Sequence, residues 1–243
     1  MTHAPVTQDW SALSAALSQI LHLSAPPLAI TFSDAPLDDV PMFDEPMPAP
    51  LPDGRTGRVA AGCVFWMKAT EKTFGTVAED HGNCSVGSVT HGFKTLDDVG
   101  ANSDVAALLE SGWVTMDVVP QIPVVHERPD AVTYGPLAET PVDPDVVFLR
   151  VTGRQLMVLS DAIPGLRVEG KPQCHIIAVA KEEGVPAASV GCALSRVRTG
   201  MPPTEMTCAI PASKLGEILA SVQEHAGADN TVAKYAAEDA TRF

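Results

Sequence analysis

Residues Thr204–Val222, TEMTCAIPASKLGEILASV, change hydrophobic period within one short stretch. Up to Ile210 the pattern alternates, so Met206, Cys208 and Ile210 would share one face of a strand. Beyond Pro211 the apolar residues Leu215, Ile218, Leu219 and Val222 fall at i, i+3, i+4 and i+7, one face of a helix. An earlier stretch repeats this order: Asp145–Val151 (DVVFLRV) reads as a strand, and Leu156, Leu159 and Ile163 as the helix that follows. The two copies share too little residue identity to establish a duplication. Strands interleaved with helices predict an α+β fold. The expectation is a single compact domain over residues 1–243, with a mixed or antiparallel sheet flanked by helices.

Working outward, Trp10, Leu13, Leu17, Ile20 and Leu21 recur at helical spacing and stop at Pro26 and Pro27. Leu28–Phe32 is a strand candidate. Residues 34–58 then carry Pro36, Pro41, Pro46, Pro48, Pro50 and Pro52, which preclude a regular helix and most strand pairing. Such a proline-rich excursion reads as a lid or as a disordered loop. Cys63–Lys72 reads as a helix and Phe74–Ala78 as a strand. Ser103 caps a helix carrying Val105, Leu108 and Leu109, ended by Gly112. Trp113–Val119 alternates through Val114, Met116 and Val118, the pattern of a half-buried strand. Gln173–Glu183 reads as a helix ended by Gly184, and residues 227–243 as a tail. Met67, Met116 and Met206 form no stripe and read as core fillers.

Of the 243 residues, 45% are hydrophobic and 19% charged, which excludes a disordered polymer. The net charge of −14 argues against a basic footprint on nucleic acid or anionic lipid. The opening MTHAPVTQDW has neither the basic nor the apolar region of a secretory signal, and no apolar run of ~18 residues suits a membrane span. The expectation is a cytoplasmic protein without nucleic-acid or membrane partners. Thiols there stay reduced, so its five cysteines read as ligands, catalysts or core.

Cys208, on a strand face with Met206 and Ile210, reads as core. Cys63 lies at a helix start, where a helix dipole lowers a thiol pKa. Cys84 sits in a turn (HGNCSVG), Cys174 near a helix start after KPQ, and Cys192 at a strand end (SVGCALSR). All four are at element ends, where ligands collect. Gly62, Gly82 and Gly191 lie just before three of them and would let backbone N–H groups approach a thiolate or a cluster sulfide. The intervals between the four are 21, 90 and 18 residues, without any C-x-x-C pair. Close pairs are the usual zinc and ferredoxin signature, so a shared site would have to be assembled by the fold.

These residues carry a resemblance. AGCVFW, NCSVGS, DPDVVFL with GRQLMVL, the segment around Cys174, and the GC…SR…EM…IP…KL block make the chain resemble the family known as domain of unknown function 169, an archaeal and bacterial group described by its cysteines. The resemblance covers most of the chain, from PPLAITF to IPASKLGEIL. It implies cysteines at positions 63, 84, 174 and 192 and a core residue at Cys208. The turn Ser85-Val86-Gly87-Ser88 departs from the family's glycine-rich pattern, so no cofactor-cradling role is assigned to it. The resemblance implies no activity.

Other candidates are His81, three residues before Cys84, and Arg196, four after Cys192. His81 would move protons and Arg196 orient a small anionic ligand. His175 adjoins Cys174, but neighbours in a helix point about 100° apart and would not easily share an ion. Phosphate-loop, dinucleotide, nucleophile-elbow and zinc-protease motifs are absent. The leading expectation is an iron–sulfur protein, [4Fe–4S] preferred, held by Cys63, Cys84, Cys174 and Cys192, with a redox or anion-converting role. A redox partner protein or a second copy of the chain are its expected macromolecular partners. Zinc and haem are alternatives in the same class. A metal-free enzyme with Cys63 as nucleophile and His81 or His91 as base is a second class, and a non-catalytic small-ligand module a third.

Overall fold

The strand Val146–Val151 (β4) lies at the middle of the sheet in the computed structural model, which describes residues 6–170 and 172–243. The remaining strands are β1 (Leu28–Ser33), β2 (Phe74–Thr76), β3 (Ala131–Pro136), β5 (Arg167–Glu169), β6 (Ala187–Ser189) and β7 (Met206–Pro211). Their order is β2-β3-β1-β4-β7-β6-β5, antiparallel throughout except for the parallel pair β5–β6. The sheet is therefore mixed, in one α+β domain.

Alternation along the strands sorts the core into two layers. Leu28, Ile30, Phe32, Tyr134, Val146, Phe148 and Ala209 face one way and pack with Phe65, Trp66, Phe74 and Phe93. Ala29, Val147, Leu149, Val151, Cys208 and Ile210 face the other. That second face is covered by α1 (Trp10–Leu21), α6 (Gly153–Ala162) and α9 (Leu215–Ala240). Each presents an apolar stripe: Leu17 and Leu21, Val158 and Leu159, and Leu215 and Val222. Asp9 caps α1 by accepting from the Ala12 amide, and Thr152 forms a capping box with Gln155 at the start of α6. Most of residues 227–243, expected as a tail, continue α9 as far as Ala240.

The first face carries shorter helices: α2 (Cys63–Lys68), α3 (Ser85–Thr90), α4 (Leu96–Val99), α5 (Ser103–Glu110), α7 (His175–Ala178) and α8 (Ala193–Thr199). A wider helical turn, Val179–Glu183, extends α7 and ends at left-handed Gly184, as the sequence predicts. Among the described residues no helix is long and apolar enough to cross a membrane. Met1–Pro5, within the stretch read for a secretory signal, lie outside the described residues.

Two expectations are corrected. Trp113–Val119 is not a strand; it forms turns leading into a short 3-10 turn at Val119–Gln121. Its alternation finds no partner strand, and Met116, expected in the core, is 67% exposed. The proline-rich excursion forms no helix or named strand, as its prolines require, but it is fastened. Leu37 and Phe43 are buried, and Met42 bridges to Gly75. Arg55 pairs with Asp53 and with buried Asp104 at 2.8 Å, and Asp53 accepts from the Ser103 amide and hydroxyl. Arg58 pairs with buried Asp80 at 2.6 Å. Gly82 allows this closure, because a Cβ there would lie 1.8 Å from the Thr56 carbonyl oxygen.

Candidate functional site

Cys174 and Cys192 follow the carboxyl ends of the two parallel strands β5 and β6, the end at which ligands gather in parallel sheets. Cys63 opens α2, and Cys84 immediately precedes α3. These four chain turns meet. Cys63, Cys84, Cys174 and Cys192 all line one small cavity, about 20 Å³ in size, which leaves room for about one water molecule. A distance of 129 residues in sequence, from Cys63 to Cys192, is thus closed by the fold. All four thiols are buried and free of disulfides. Cys208 is buried on the opposite face of the sheet, among Leu149, Ile210 and the helices α1, α6 and α9.

The cavity wall is completed by Gly62, Trp66, Val86, Gly87, His91, Gln173, Leu194 and Ser195, among others; no carboxylate, lysine or arginine is found in it among the described residues. Burial pushes the Cys63 thiol up to about 12, outweighing hydrogen bonds from Ser195 and Gln173; the nearby Cys84 and Cys192 thiols push it further. The expectation of a lowered Cys63 pKa at a helix start therefore fails. α2 is short, and desolvation is the larger effect. Cys174 is also pushed well up, by burial and then by Cys63 and Cys84; a hydrogen bond with Thr90 opposes this. Cys84 is raised by burial, against the Gly87 amide and the positive charge of Arg198.

Several buried polar atoms near these thiols have no partner. They include Trp66 Nε1, His91 Nε2, Gln173 Oε1 and the hydroxyl of Tyr134. Tyr134 lies close enough to Cys63 and Cys174 for their charges, after burial, to oppose its ionisation. Native interiors leave few such groups, so their concentration here is informative. His91 is oriented by its own helix: Nδ1 lies 2.9 Å from the Gly87 carbonyl oxygen. A carbonyl only accepts, so Nδ1 carries the proton and Nε2 of the neutral ring keeps its lone pair. Burial lowers the His91 pKa to about 4 and keeps the ring neutral.

The two other sequence candidates lie elsewhere. His81 does not line the cavity. It is packed between Phe65 and Phe93, with Nε2 3.0 Å from the Thr76 hydroxyl and Nδ1 close against Gly62. Arg196 is turned away from the thiols. Its Nη2 donates to the carbonyls of Val190 and Glu205, both at 2.9 Å, and pins the turn that carries Cys192. Gly191 lies under this guanidinium at φ +129°, where a Cβ would meet Arg196 at 2.4 Å. Gly62, Gly82 and Gly191 therefore each have a packing neighbour, in His81, Thr56 and Arg196. Both arginines keep one buried nitrogen without a partner, Arg196 Nε and Arg198 Nη1; Arg198 lines a cleft formed with the proline-rich segment and Asn83. Among the described residues, no three His, Cys, Asp or Glu side chains are grouped as a single metal ion would require.

The sequence profile of the family described as DUF169, uncharacterised ArCR, matches residues 16–221. The chain belongs to the DUF169 family. That match takes in all seven strands and all four cavity cysteines. No curated protein and no solved structure matches the chain.

The sequence offers His91 as a base for Cys63 or, with His81, as a zinc ligand, and assigns no site role to Gln173, Ser195, Thr90 or Tyr134. Gln173 and Ser195 did carry a local signal, one residue before Cys174 and three after Cys192. Tyr134 and Thr90 carried none, because only the sheet and α3 bring them to the thiols.

Proposed function

We propose that Cys63, Cys84, Cys174 and Cys192 hold one iron–sulfur cluster, [4Fe–4S] in preference, and that this DUF169 protein uses it in redox chemistry or in converting a small anionic molecule. The observation that carries this reading is the convergence of these four dispersed thiols, and not Cys208, on one cavity free of carboxylates. Soft thiolates select iron–sulfur clusters or zinc over hard cations. When bound, a cluster supplies one-electron transfer, or an open iron site if only three thiolates ligate it.

The chain's own residues complete the proposal. Trp66, Val86 and Leu194 give the thiols an apolar, largely dry surround, which bears on potential and stability. Trp66 Nε1 is a donor available to a sulfur. In the anion-converting version His91, rather than His81, accepts a proton at Nε2, since only His91 lines the cavity. Arg198 joins Arg196 as a cation for an anionic molecule: each keeps a buried nitrogen without a partner, although Arg196 Nη2 is committed to two backbone carbonyls. A thiol raised to about 12 by burial is a poor nucleophile, which weighs against the metal-free reading with Cys63 attacking; coordination removes that proton instead.

Anaerobic reconstitution with iron and sulfide, followed by removal of excess reagent, tests the reading. The expected product is brown and contains about four irons and four sulfides per chain. A folded, colourless protein without iron overturns it, and one zinc per chain in its place would install the zinc alternative.

A further inference from the structure

Next to the thiol cavity lies a second, larger one. It measures about 450 Å³, within the ordinary range for a small-molecule site. Its walls come from α3, α4, α5 and the turns of residues 113–122. They are built chiefly of aliphatic side chains, among them Val89, Val105, Leu108 and Leu109. Among the described residues no lysine or arginine lines it, and Asp97 is the one charged residue in its wall. Among those residues an anionic ligand would find a carboxylate and no counter-ion.

One polar group in this wall lacks a partner. His175 is only 7% exposed and its Nε2 is buried with no hydrogen bond. An imidazole so placed is costly unless something supplies the missing hydrogen bond. His175 also follows Cys174 directly, and the turn of the helix sends the two side chains to different cavities. Val86 and Pro172 belong to both walls, so a molecule held by His175 would lie one side chain away from the thiols.

We propose that this cavity binds an uncharged, predominantly apolar small molecule carrying one hydroxyl or carbonyl oxygen, which His175 Nε2 engages. The proposal does not depend on which metal, if any, the thiols hold. Its occupant is set by three observations: a ligand-sized apolar space, the absence of lysine and arginine among the described wall residues, and one orphaned hydrogen-bonding nitrogen.

The test uses the full chain and N-phenyl-1-naphthylamine, an uncharged dye whose fluorescence rises in apolar surroundings. Dye uptake by the folded protein should saturate at one site, and 1-decanol should displace it. Decanoate and decyltrimethylammonium, with the same chain and opposite charges, should each compete at least roughly tenfold more weakly, since each buries a charge. His175→Phe keeps the ring and should leave dye uptake in place while weakening 1-decanol by roughly three- to tenfold, the worth of one hydrogen bond. Val105→Trp and Leu109→Trp, each filling the cavity from α5, should each abolish uptake with the melting temperature retained. The proposal fails if folded wild-type protein takes up no dye, or if decanoate competes as well as 1-decanol. It also fails if a folded tryptophan variant binds fully, or if His175→Phe leaves 1-decanol unaffected. Because no readout involves iron, failure here and failure of cluster assembly are separate results.

Discussion

The two faces of the sheet are built from the same strands yet differ in kind. One is covered by α1, α6 and α9, long helices whose aliphatic stripes meet Ala29, Val147, Leu149 and Ile210. The other is covered by six short helices, and it holds the aromatic cluster, four of the five cysteines, the thiol cavity and the aliphatic cavity beside it. Among the described residues, none of the buried side-chain polar atoms left without a partner lies on α1, α6 or α9. The face covered by the long helices specifies the fold, with Thr133 Oγ1 on β3 as an unpartnered atom in its layer. The face that carries unpaired donors, acceptors and buried thiols has traded satisfaction for chemistry, the pattern expected where a site departs from the rules of a packed core.

Replacing cysteines on each face breaks or sharpens this contrast most strongly. Serine at position 63, 84, 174 or 192 should lower the iron retained after reconstitution severely, to near zero for at least three of the four positions. Cys208→Ser should retain full iron. Its cost should appear in stability instead, about 1–3 kcal/mol in denaturant melts, because a hydroxyl is buried on an aliphatic face. Equal iron loss at Cys208 would mean that the division between the faces is false.

Leu159→Ala addresses the other face. Leu159 is fully buried on α6, and truncation should cost about 2–5 kcal/mol with cluster assembly unimpaired in the folded fraction. Parallel loss of iron and stability on titrating denaturant would show instead that the two layers unfold as one unit.

The helix-covered face was the legible one. β7 and α9 are separated by a change of period inside Thr204–Val222, and β4 and α6 by a change after Val151; both are local signals. β3 carries no such local signal, although it pairs with both β1 and β2. Its six residues, AVTYGP, are buried on both faces and so show no alternation, and Gly135-Pro136 looks like a turn. Trp113–Val119 gave the opposite error, an alternation that meets no neighbouring strand. The separation of Cys208 from the other cysteines could be read from period two alone. The convergence of the remaining four could not, since it depends on a sheet order that no local pattern encodes. The choice between His81 and His91 is hidden for the same reason: which of the two lines the cavity is decided by α3, not by spacing.

Acid should also distinguish the faces. His81, His91 and His175 all belong to the cavity side, and burial lowers each of their pKa values, His91 and His175 to about 4. The unfolded chain takes up these protons near pH 6.5 and the folded chain does not, so protonation favours unfolding. Their contribution to stability is complete above pH 6.5 and is lost as pH falls toward 4. For His91 alone the loss is on the order of 3 kcal/mol. Urea melts of metal-free protein at stepped pH check this, and His91→Gln should flatten the slope. An unchanged slope would show that His91 is not held neutral.

The smallest effect is a coupling of about 1 kcal/mol in the turn that delivers Cys192. Gly191 combines φ +129° with a guanidinium where its side chain would go, so Gly191→Ala suffers both backbone strain and a collision with Arg196. These separate in a double-mutant cycle. In the wild-type background Gly191→Ala should cost about 2–3 kcal/mol. In an Arg196→Ala background the collision is gone, and only the backbone strain of about 1–2 kcal/mol should remain. A coupling near zero would mean that Arg196 does not press on the turn in solution, and that its bonds to Val190 and Glu205 do not hold Cys192 in place. A positive coupling accompanied by slower cluster loss in wild type than in Arg196→Ala would assign Arg196 a positioning role on the cavity side. It would then act through the turn and not by touching any ligand.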